Sequence, residues 1–94
     1  MGKYTFIAEY KGGTYISQYM ADDLYQGIIL WAQGLPSKFF RSDKRKKILR
    51  TIFNDKDLIM PVPLDNIDNV WSTFFAGNNG RYILLNIVLT ETCS

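Results

Sequence analysis

The 94-residue chain has no histidine and a single cysteine. Without an imidazole it lacks the usual general base at neutral pH, and with it the Ser-His-Asp and Cys-His arrangements. Metal sites rich in nitrogen and sulfur are excluded on the same ground. Cys93 alone allows no intramolecular disulfide, which fits a reducing compartment. With no histidine to lower its pKa, that thiol reads as a bystander rather than a nucleophile. Neither GxxxxGK[ST] nor GxGxxG occurs, so no phosphate cradle is expected. Long apolar runs are also missing. The longest uncharged stretch, Leu24 to Ser37, is broken by Gln26, Gly27, Gln33 and Gly34 and is too short and polar to span a bilayer. The opening Met1-Gly2-Lys3-Tyr4 has no apolar h-region, and Phe6 stands where a myristoylation signal needs Ser or Thr. A cytoplasmic protein with no membrane partner is expected.

What is present suffices for a core. The chain is 47% hydrophobic and 15% aromatic, with six Tyr, six Phe and two Trp, so one domain over residues 1–94 can fold without metals or disulfides. Its charge is unevenly placed. Lys38 to Arg50 (KFFRSDKRKKILR) holds seven of the eleven cations and one of the nine acids, so that segment carries +6 and the rest −4 behind a net +2. Such asymmetry bears on partners rather than on fold.

Tyr4 to Tyr10 alternates, with Tyr4, Phe6, Ala8 and Tyr10 on one face. Gly12-Gly13 then predicts a two-residue hairpin turn, and Thr14 to Met20 the return strand. Asp23-Leu24-Tyr25-Gln26 reads as a capping box opening a helix with Leu24, Ile28, Trp31 and Leu35 on one face, closed by Gly34 and Pro36. Tyr25, Ile29, Leu30 and Ala32 leave that helix apolar nearly all round, so cover on more than one side is expected. Ser42 can cap a second helix to about Phe53, with Ile48, Leu49, Ile52 and Phe53 as its buried stripe. Lys44 through Lys47 crowd its first turns, where the macrodipole disfavours cations, unless the helix starts earlier, near Ser37. Asn54 to Asn69 reads mainly as a connection, within which Met60 to Leu64 is an apolar loop run. Val70 to Ala76 is a third strand, Gly77 to Gly80 a turn, and Arg81 to Thr90 a fourth strand, apolar on both faces and therefore central. The fold class is α+β, in the order β-β-α-α-β-β. It predicts a four-stranded antiparallel sheet with two helices packed on one face, and the second or third strand at an edge.

Carboxylates are the remaining chemical groups. Asp55, Asp57, Asp65 and Asp68 surround one connection and Asp22 and Asp23 adjoin, but turn and cap roles account for them. EF-hand spacing is not met. No catalytic residue, metal or cofactor is therefore expected. Tyr10 and Tyr15, near the first turn, could form an exposed interface patch, against the plainer reading of core or cross-strand pairs.

The basic segment is the candidate site. Lys44, Lys46, Lys47 and Arg50 share one helical face, with Lys38 and Arg41 nearby and Phe39-Phe40 adjoining. An acidic protein partner fits this set, because charge steers association and selects partners. Nucleic acid is the alternative, with phosphates on the cations and bases stacked on the phenylalanines. The pI of 8.7 and the absence of a nucleic-acid-binding motif weigh against it. A solvated helix face explains the same cations without a partner. A homodimer through a sheet edge or the apolar helix is compatible with each reading.

The segments YTFIAEYKGGTYISQYMADDLYQGIILWA and NVWSTFFAGNNGRYILLNIVLTET, with their GG hairpin, Trp-ended helix and final apolar strand, resemble small bacterial proteins of uncharacterised function. Some of these accompany toxin genes as immunity proteins. The resemblance implies a protein-binding role and assigns no catalytic or binding residue.

Overall fold

Tyr4, Phe6, Ala8 and Tyr10 are all buried on one face of strand β1 (Gly2–Tyr10), as their alternation requires. The computed structural model describes residues 2–36, 42–54, 62–63, 69–76 and 82–92. After β1 come β2 (Gly13–Ala21), α1 (Leu24–Gln33), α2 (Ser42–Asn54), β3 (Val62–Pro63), β4 (Val70–Ala76) and β5 (Tyr82–Thr92). All strand pairs are antiparallel, in the order β2-β1-β5-β4-β3. The four long strands and two helices make the predicted α+β fold, with the final strand central and β2 at an edge.

Two details of the sheet differ from the sequence expectation. The hairpin turn is Lys11-Gly12, both at positive φ (51° and 78°), and Gly13 is already in β2 opposite Tyr10. Both placements keep the same residues facing the core, so alternation alone cannot choose between them. Side-chain volume does. The observed register sets Tyr10 against Gly13, Ala8 against Tyr15 and Phe6 against Ser17, a large residue opposite a small one each time. Tyr10 is accordingly buried and Tyr15 half-buried, so they form no exposed aromatic patch. The second difference is β3. Val62 and Pro63, expected in a loop, pair with Ser72 and Trp71 as a two-residue edge strand, a place where proline's missing N–H is tolerated.

Helix α1 starts as its capping box predicts. Asp23 Oδ1 accepts the Gln26 N–H at 2.8 Å, while Gln26 Oε1 accepts the Asp22 N–H at 2.7 Å, one residue before the cap. The helix lies on the β1 core face. Trp31 stacks between Phe6 and Phe75, with ring centroids 6.3 and 5.6 Å away. Gly27 permits the close approach, since a Cβ there would sit 3.2 Å from Phe6 Cζ. The second cover expected for α1 is α2, which packs against it through buried Ile48 and Ile52. Tyr25 Oη on α1 donates to the Ile52 carbonyl at 3.1 Å and fastens the pair.

The opposite face of the sheet carries no described element. Ile16, Met20, Phe74, Tyr82 and Leu84 are exposed there, with Phe74 and Tyr82 edge-on at 5.7 Å. The two-sided apolar pattern of β5 thus reports a central strand whose Ile83, Leu85 and Ile87 are buried while Leu84 meets solvent. Among the described residues, no helix is long and apolar enough to cross a membrane.

Candidate functional site

The outer surface of α2 is set by what its inner surface must bury. Ile48 and Ile52, four residues apart, face α1 and the core. Helical geometry then turns Asp43, Lys46, Lys47, Arg50, Phe53 and Asn54 outward in one continuous stripe, and all six are exposed. Three cations lie along it with one acid, Asp43, in the first turn, where the helix dipole favours it.

Phe53 corrects the sequence reading. Expected in the buried stripe, it is 58% exposed, whereas Ile52 beside it is fully buried. Neighbours on a helix differ by about 100°, so Ile48 and Ile52 define the inner stripe and Phe53 falls beyond it, next to Arg50. Leu49 is half-buried at the margin.

Arg45 behaves unlike the other cations. It is half-buried, its Nη1 donates to the Leu35 carbonyl at 3.5 Å, and its buried Nε has no partner among the described residues. Its stem and Leu49, Ala32, Gln33 and Lys46 line a cleft of about 200 Å³ between the helices. Cations therefore border an apolar-floored hollow. The site can accept a carboxylate at its rim and an apolar side chain in its floor.

Of the predicted site residues, Lys46, Lys47 and Arg50 are brought together. Lys38, Phe39, Phe40 and Arg41 lie outside the described residues, as does the position of any helix start near Ser37, and the side chain of Lys44 is not described. Asp55, Asp57, Asp65, Asp68 and the Gly77 to Gly80 turn also lie outside them. Asp22 and Asp23 serve the α1 cap, and among the described residues no three metal-ligating side chains converge. A second hollow, of about 340 Å³, opens at the hairpin turn between Glu9, Lys11, Thr14 and Tyr82. Sequence reasoning missed Phe53 and the cleft; the cleft has no sequence signal, because it forms only when α2 docks on α1.

No family model, curated protein or solved structure matches the chain.

Proposed function

We propose that this chain is a non-catalytic protein-interaction module, of the inhibitor or immunity kind, that captures an acidic protein through the outer face of α2. The observation that carries this reading is the stripe of Lys46, Lys47, Arg50 and Phe53 beside the cleft floored by Leu49 and Ala32. Protein interfaces combine an apolar or aromatic anchor with charges that steer and orient the partner, and this surface offers both within one helix. Exposed cations on a helix bound at one side cost the fold little to change, so the surface can be reversed without unfolding the protein.

The test is Lys46→Glu/Lys47→Glu/Arg50→Glu. These three side chains are exposed, so the melting temperature should stay within a few degrees of wild type while partner capture is lost. Capture by the variant equal to wild type would refute the proposal. Nucleic acid is the second reading, favoured by the same cations. Three phosphates neutralised on duplex DNA would give a log K against log[salt] slope of about −2.7, and a flat response would remove that reading.

A further inference from the structure

We propose that the chain forms a homodimer by antiparallel pairing of β2 with the β2 of a second copy. β2 is nine residues long, contains no charge and no proline, and is an edge of the sheet. Edges of this kind are normally blunted by charge, proline or brevity, and the opposite edge, β3, has two residues of which one is Pro63. Among the described residues, the asymmetry marks β2 as the edge left open to pairing.

The register follows from the hairpin. Its two-residue turn closes on the Tyr10–Gly13 pair, so alternate β2 residues from Gly13 onward bond to β1. The backbone groups of Thr14, Ile16, Gln18 and Met20 point the other way, where no described strand meets them. A two-fold axis at Ser17 pairs Thr14 with Met20 and Ile16 with Gln18 of the other copy, and every outward N–H and C=O is then bonded. The same register lays Tyr15 beside Tyr19 on the core face, a favourable cross-strand pair. Moving the axis to Ile16 leaves one outward residue unpaired. Hydrogen bonding thus selects a second copy in one register.

Because the same strand is used on both sides, the assembly closes at two copies and does not propagate. A two-fold through the sheet keeps core face with core face, so the helices of both copies lie on one side of the joined sheet.

Sedimentation from about 1 μM to about 1 mM, the range that small interfaces occupy, tests this directly. Wild type should pass from the mass of one chain towards two. Gln18→Lys, which sets like charges across the two-fold and gives up the exposed 2.9 Å hydrogen bond from Gln18 to Thr5, should stay monomeric with the melt lowered by a few degrees at most, and Ile16→Pro, which removes an outward N–H, should also stay monomeric. In a Cys93→Ser background, Ser17→Cys should oxidise to a linked dimer, because non-hydrogen-bonded antiparallel partners lie about 4.5 Å apart, within disulfide reach. Wild type remaining monomeric throughout, or Gln18→Lys associating as wild type does, would overturn the proposal. The α2 charge reversal should leave the dimer intact, so failure of either proposal is visible without the other.

Discussion

Replacing Ile52 and, separately, Phe53 with alanine asks which way α2 faces. Ile52 is fully buried and Phe53 is 58% exposed, though they are adjacent. Ile52→Ala removes three carbons, a transfer loss of about 2.4 kcal/mol at about 0.8 per methylene, and the residual cavity raises the cost to about 3–4 kcal/mol. For a domain of this size each kcal/mol moves the melting temperature by about 4–8 °C, so the fall should exceed about 12 °C. Phe53→Ala gives up an aromatic already in water and gains some helix propensity, and should change stability by about 0.5 kcal/mol or less. Urea denaturation followed by circular dichroism measures both. Equal costs, or a larger cost at Phe53, would mean that α2 is rotated by about one residue. That result would refute the outward placement of Lys46, Lys47 and Arg50.

The α1 cap and the core face of β1 give two further tests. Asp23→Ala, which leaves the Gln26 N–H without its acceptor, should cost about 1 kcal/mol in the same assay, and Asp23→Asn should recover most of it. Burial first, and then the charge of Asp23, push the Tyr4 phenol above its ordinary value of 10.0. The unfolded chain therefore loses this proton more readily, so the stability Tyr4 contributes is complete below about pH 10 and falls as pH rises through its folded pKa. Tyr4→Phe should flatten the alkaline limb of stability against pH, and an unchanged limb would reject that assignment.

The elements were legible where a single periodicity governed them. The alternation of Tyr4 to Tyr10 settles β1, and the Asp23–Gln26 spacing settles the start of α1. Signals degenerate between neighbours were not decisive. Moving the hairpin turn by one residue preserves facing, and only the fit of Tyr10 to Gly13 and Ala8 to Tyr15 fixes it. The stripe of α2 allowed Ile52 and Phe53 together until docking on α1 chose one. The pattern of β5 announced a central strand but not that one side of it would be open, since apolar alternation reports pairing and covering alike. Of the site, the charge was visible in the sequence. The cleft beside it depends on Arg45 and Leu49 meeting Ala32 across two helices, a contact no local pattern encodes.

The central claim, capture of an acidic protein by α2, is tested most directly by lysine footprinting. The complex recovered from nuclease-treated lysate is labelled with an amine-reactive reagent beside the free chain. The account predicts that Lys46 and Lys47 are protected in the complex while Lys3, on the sheet's other face, reacts as before. Protection of Lys3 with Lys46 and Lys47 still reactive, or loss of the whole complex on nuclease treatment, would contradict it.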